Sequence, residues 1–119
     1  MSKCGGEIDL YSGNDDQIVP LMSMGGIGCI SVISNILPKA AKEITDKFFA
    51  GDIKGAAAAQ CRLKPLMDAM FCEVNPIPVK TALAAMGIID EYMRLPLTPM
   101  TESNREKMLE LMRQEGLKV

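Results

Sequence analysis

Ile27-Gly28-Cys29-Ile30-Ser31-Val32-Ile33, followed by Ser34-Asn35 and then Pro38, decides how this chain is read. The run is apolar and rich in β-branched residues, with turn formers on both flanks. It predicts a short buried strand over Gly28 to Ile33 that opens into a loop and a helix. The same order occurs once upstream: Ile8-Asp9-Leu10-Tyr11, then the turn Ser12-Gly13-Asn14-Asp15, then a helical run. Strand, loop and helix twice over is the repeating unit of a parallel α/β fold. In such folds ligands gather beyond the carboxyl ends of the strands. Gly13 and the segment from Ile30 to Asn35 are therefore the first positions to inspect for chemistry.

The punctuation around these units is explicit. Residues 1 to 7 are polar and glycine-bearing and read as a leader or loop. Gly13 marks a tight turn where a missing β-carbon permits close backbone approach. Asp15 is a candidate cap for a helix through Ile18, Val19, Leu21 and Met22, with Pro20 in its first turns and Gly25-Gly26 ending it. Pro38 suits the first position of a helix whose apolar face carries Ala40, Ile44 and Phe48; Gly51 stops it and Asp52 caps the next.

After Asp52 the pattern changes, and three helical segments follow with no strand between them. The first runs from Ile53 to about Phe71, with Pro65 inside it predicting a kink near Cys61. Asn75-Pro76-Ile77-Pro78 is a forced break, and Pro78 starts a helix through Val79, Leu83 and Met86 that Gly87 ends. Arg94 to Pro99 is extended. Thr101 caps a last helix bearing Met108, Leu109, Leu111 and Met112, with Glu102 at its start and Arg113 near its end placed to suit the helix dipole.

Two strands leave two open edges and do not make a sheet of ordinary size. The expectation is the end of a larger protein, with residues 1–51 belonging to a strand–helix portion and residues 52–119 to a helical region. The neighbouring strands then come from oligomerisation, from a separate segment, or not at all.

Composition narrows the function. The chain has 119 residues, with 13 basic and 15 acidic side chains, no histidine and a net charge of −2. No basic stripe runs along a helix, so nucleic acid is not an expected partner. The absence of histidine removes the commonest general acid–base and the commonest metal ligand. Cys4, Cys29, Cys61 and Cys72 are spread without a CxxC pair, which argues against zinc and against a redox motif. They read as buried or half-buried thiols in a reducing cytosol. The opening residues have no apolar core of a signal peptide, and no apolar run approaches the roughly 20 residues a membrane span needs. A soluble cytoplasmic protein without membrane contact is expected. Asp15 and Asp16, the carboxylates near the strand ends, lack the partners of a metal site, and no cofactor is expected.

Four blocks in order carry a resemblance. Tyr11-Ser12-Gly13-Asn14-Asp15-Asp16, then Gly25 to Asn35 with Pro38, then Asn75-Pro76-Ile77-Pro78-Val79-Lys80, then Arg94-Leu95-Pro96-Leu97-Thr98-Pro99 are similar to the dihydrodipicolinate synthase family. The resemblance covers the chain from about Ile8 to its end. It implies the last two βα units of an α/β (β/α)8 TIM barrel followed by a C-terminal three-helix region. It implies a Schiff-base-forming lyase of the class I, pyruvate-dependent aldolase type, condensing pyruvate with aspartate semialdehyde in diaminopimelate and lysine biosynthesis, commonly as a homo-oligomer. The catalytic lysine and tyrosine of the family would precede the matched region, so no catalytic residue is expected here.

By the same resemblance, Gly13 matches a position against the pyruvate carboxylate and Ile30 a strand residue contacting pyruvate. Gly13 also reads simply as a turn glycine, and Ile30 as a barrel-interior side chain. Lys39, Lys42, Lys47, Lys54 and Lys80 read as solvated helix lysines rather than Schiff-base formers. Tyr11 reads as a packing residue and Tyr92 as a half-buried one. The isolated chain is expected to lack condensation activity. Two other readings stand beside this one. One is a non-enzymatic assembly module that uses the ten methionines as an adaptable apolar surface. The other is part of a related pyruvate-dependent aldolase.

Overall fold

The computed structural model describes residues 3–119 and divides them into two compact units, one ending at Leu63 and the other beginning at Lys64. Met1 and Ser2, the start of the expected leader, lie outside the described residues; residues 3–6 form a turn, and the Glu7 amide donates to the Cys4 carbonyl at 2.9 Å.

The first unit contains β1 (Tyr11–Ser12), a 3-10 turn (Asp15–Gln17), α1 (Ile18–Ser23), β2 (Gly28–Cys29), a second 3-10 turn (Ile33–Asn35) and α2 (Pro38–Phe49). The two strands pair in parallel, Tyr11 opposite Gly28 and Ser12 opposite Cys29. The ladder extends by one bond at each end: the Ile27 amide donates to the Leu10 carbonyl and the Ile30 amide to the Ser12 carbonyl, both at 2.8 Å. Strand, loop and helix therefore occur twice, as expected. The strands are much shorter than expected, however. Ile8 to Leu10 is not paired as strand, and the run after Cys29 leaves the ladder, so Ile33 sits in a 3-10 turn. The β-propensity of Ile30 to Ile33 yields here to hydrogen bonding of its backbone by a side chain, described below.

Gly25 and Gly26 turn the chain from α1 into β2. Gly25 has φ 97°, and a β-carbon at Gly26 would lie 2.9 Å from the Leu21 carbonyl oxygen, so this return admits only glycine at the second position. α2 starts at Pro38 as expected. Its buried stripe is Ala41 and Ile44, with Ala40 and Phe48 half-buried, so the inward face is turned by one residue from the expected one. α2 packs on α1 and on the second 3-10 turn, where Ile18, Met22, Ile33 and Ile36 are buried. Each such aliphatic side chain, fully buried, contributes about 1.5–3 kcal/mol.

α3 (Ile53–Ala69) begins in the first unit and passes through Pro65 as one helix. Asp52 caps it as expected: its Oδ1 accepts from the Gly55 amide at 2.9 Å. In the second unit follow α4 (Ile77–Ala85) and α5 (Glu102–Gln114), which pack on each other. Their buried residues include Ile77, Val79, Ala82, Met108 and Met112. The three helices after residue 52 agree with the sequence expectation. Thr101 holds the N-cap position of α5 but makes no side-chain cap bond. Its hydroxyl donates instead to Glu73 Oε1 at 2.6 Å, and the same oxygen accepts from the Thr101 amide at 3.1 Å and from Asn104 Nδ2 at 2.8 Å. Glu73 thus caps the helix, and these donors hold its carboxyl below the usual carboxylate range.

Among the described residues, no helix is long and apolar enough to cross a membrane.

Candidate active site

The carboxyl ends of β1 and β2 lie side by side because the strands are parallel and in register. Gly13 directly follows β1. The Ser12 hydroxyl donates to the Asn14 carbonyl at 2.7 Å and accepts from the Asn14 amide at 3.1 Å, closing a small ring around Gly13. Gly13 itself is exposed, its φ is not in the left-handed region, and a β-carbon there would meet nothing within 4 Å. No close backbone approach to Gly13 occurs within the described residues, so the expected steric need for a glycine is not met by this chain's own atoms. Open space at this position leaves room for another molecule. Ile30 follows β2, is 71% exposed, and is tied by its amide to Ser12, the neighbour of Gly13. The two residues singled out from the sequence are therefore brought together at one end of the sheet.

Asp15 corrects the sequence reading. It is not a cap: the N-cap of its own 3-10 turn is Asn14, and no side-chain cap bond is made there. Asp15 is 1% exposed, and its Oδ2 accepts from the backbone amides of Val32 at 2.9 Å and Ile33 at 3.0 Å. Its Oδ1 lies 3.8 Å from Cys29 Sγ, within reach of the thiol as donor. Burial and the adjacent Asp15 carboxyl together push the Cys29 thiol up to about 12, so it stays protonated at neutral pH. Cys29 is half-buried as expected, but Cys4, Cys61 and Cys72 are exposed rather than buried, and all four are free thiols.

A cleft of about 220 Å³ opens next to these groups, lined by Cys29, Ser31, Ser34, Pro38 and Lys42, among others. Neither Gly13 nor Ile30 lines it. Lys42 is its one amine, and that amine lies 2.5 Å from Asp46 with the side chain 71% exposed. An amine nucleophile is activated by burial or by cationic neighbours, which is the opposite environment. Lys39 and Lys54 are exposed on α2 and α3, and Lys47 pairs with Glu43. Lys80, on α4, donates from Nζ to the Tyr92 carbonyl at 2.5 Å. Tyr11 is 48% exposed, and its ring lies where a β-carbon on Gly28 would approach it to 3.1 Å. Tyr92 is 66% exposed, more open than the half-buried position expected.

Gln60 escaped the sequence reading. From α3 it accepts the Val19 amide at 2.7 Å and donates to the Asp16 carbonyl at 2.8 Å, satisfying the start of α1. A polar residue at helical spacing among alanines was the available signal.

Comparison with known proteins agrees with this geometry. The family model described as the dihydrodipicolinate synthetase family matches residues 1–115. The chain belongs to this family. A dihydrodipicolinate synthetase relative, the 4-hydroxy-tetrahydrodipicolinate synthase of Caldicellulosiruptor bescii, is 52% identical over 113 residues, covering 95% of this chain and 38% of the relative. The enzyme of the same name from Alkaliphilus oremlandii is 47% identical over 111 residues, again 38% of its length. Among solved family structures, the dihydrodipicolinate synthase of Thermotoga maritima superposes with a TM-score of 0.90 at 42% identity, covering 92% of this chain and 37% of that one. The chloride-inhibited enzyme from Acinetobacter baumannii, solved with pyruvate, gives a TM-score of 0.90 at 40% identity over 98% of this chain and 40% of that one. The chain thus spans no more than about two-fifths of the length of these family members.

Proposed function

We propose that this chain supplies the last two βα units of a (β/α)8 barrel, residues 1–51, and a C-terminal helical region, residues 52–119, of a cytoplasmic 4-hydroxy-tetrahydrodipicolinate synthase. The complete enzyme is a Schiff-base-forming lyase that condenses pyruvate with aspartate semialdehyde in diaminopimelate and lysine biosynthesis, without a cofactor and as a homo-oligomer. The observation that carries this reading is the family match over residues 1–115, joined to two parallel strands in register whose carboxyl ends bring Gly13 and Ile30 together. A solved relative that holds pyruvate supports pyruvate as the first substrate.

In this reading Gly13 and Ile30 form part of the pyruvate pocket wall. Gly13 leaves space for the carboxylate, and Ile30 supplies apolar contact. By the family resemblance, the nucleophilic lysine and the proton-shuttling tyrosine belong to the rest of the barrel; in support, every lysine at residues 39–80 sits on a helix, beside a carboxylate or a carbonyl or in solvent.

Borohydride trapping tests the division of labour. The isolated chain incubated with pyruvate and borohydride is expected to gain no lysine adduct by mass spectrometry. Mixed with the complementary N-terminal portion of the Caldicellulosiruptor bescii relative, it is expected to restore condensation. A stoichiometric adduct on any lysine of this chain alone overturns the assignment.

A further inference from the structure

We propose that Asp15 is a positioning residue that fixes the strand exit presenting Ile30, acting through backbone amides rather than by touching substrate. The proposal rests on the reading of Ile30 as a pocket residue. After Cys29 the parallel ladder has one bond left, from the Ile30 amide to the Ser12 carbonyl. Beyond it the chain turns into the Ile33–Asn35 3-10 turn, with no strand partner among the described residues to hold it.

Asp15 takes over at that point. A side chain that is 1% exposed sends one carboxyl oxygen to two consecutive amides, Val32 and Ile33, across a separation of 17 and 18 residues. A buried carboxyl is tolerated only where hydrogen bonds replace its hydration, and these amides supply them. Residues 30–33 are thereby anchored at both ends, by Ser12 and by Asp15. Both anchors come from the short segment that contains Gly13. The placement of Ile30 relative to Gly13 is therefore set by three hydrogen bonds between the same two loops. Ile33, 0% exposed, seats the far end in the core. A site whose wall is a loop needs such support to hold its geometry.

Amide hydrogen exchange in the full chain tests this directly. Val32 and Ile33 are expected to be protected, and Asp15→Ala is expected to raise their exchange about tenfold or more while Ile27, on the ladder, and Ile44, in α2, change little. Asp15→Asn keeps an acceptor oxygen and is expected to restore most of the protection. Unprotected Val32 and Ile33 in the unsubstituted chain overturn the proposal. So does equal loss of protection everywhere in Asp15→Ala, which marks a residue of global stability. In the enzyme reassembled with the N-terminal portion, Asp15→Ala is expected to raise the KM for pyruvate about tenfold with a smaller change in kcat, and Asp15→Asn to reverse most of that. An unchanged KM overturns the proposal. An unsubstituted assembly without activity counts against the synthase reading alone, while amide exchange still decides the role of Asp15.

Discussion

Cys29, half-buried, and Thr81, fully buried, show how single groups respond to their surroundings. The Cys29 thiol is raised from 9.0 to about 12 by burial first and by Asp15 second. A group with a raised value binds its proton more tightly in the folded state. Its stabilising contribution is complete below pH 9 and is lost as the pH climbs toward 12. Thermal midpoints measured between pH 8 and about 11 should fall more steeply for the natural chain than for Cys29→Ala. Over the same range iodoacetamide should modify Cys4 and Cys61 well before Cys29. Equal slopes in the two proteins would refute this. Thr81 is fully buried, and its Oγ1 has no hydrogen-bond partner among the described residues. Thr81→Val removes an unsatisfied hydroxyl while keeping the shape, so chemical denaturation should show a gain of up to about 1 kcal/mol. A loss larger than that would mean the hydroxyl is satisfied in solution.

At the scale of elements, the start of α3 is the clearest case of two residues acting as one device. Asp52 Oδ1 accepts the Gly55 amide, and a β-carbon on Gly55 would lie 1.9 Å from Asp52 Oδ2. Ordinarily Gly→Ala in a helix gains about 1 kcal/mol and losing an N-cap costs about 1 kcal/mol. The two effects should nearly cancel in Gly55→Ala, because the new methyl displaces the cap. Once Asp52→Ala has already removed the cap, Gly55→Ala should show its full gain. A double-mutant cycle by urea denaturation should therefore give a coupling of about 1 kcal/mol, and additivity would disprove the linkage. The surface ion pairs along the helices, Lys42–Asp46 and Lys64–Asp68 among them, are exposed and contribute little beside this.

At the scale of the molecule, β1 and β2 form a sheet of two short strands, and Ile8, Tyr11, Ile27 and Ile30 around them are exposed. Under the proposed function these side chains and strand edges are covered by the other strands of the barrel. The chain alone should bind the dye ANS, and adding the complementary portion of a relative should quench that fluorescence. Unchanged dye binding in an active mixture would place the apolar surface elsewhere.

The order of strand, loop and helix, the switch to helices after Asp52, and the turns at Gly51 and Gly87 could be read from local patterns. They depend on propensity, capping and proline, which act within a few residues. Gly13 and the segment from Ile30 to Asn35 were legible as strand-end positions, and Gly13 and Ile30 as a pair only through the family resemblance; the register that joins them came from the structure. The strand lengths, the face of α2 turned inward, the role of Asp15 and the roles of Gln60 and Glu73 were not legible. Each depends on a partner between 17 and 44 residues away for the named side chains. An aspartate at a strand end has the same local appearance whether it caps its own helix or holds a distant loop. Only folding, which buries Asp15 beside the amides of Val32 and Ile33, decides between the two.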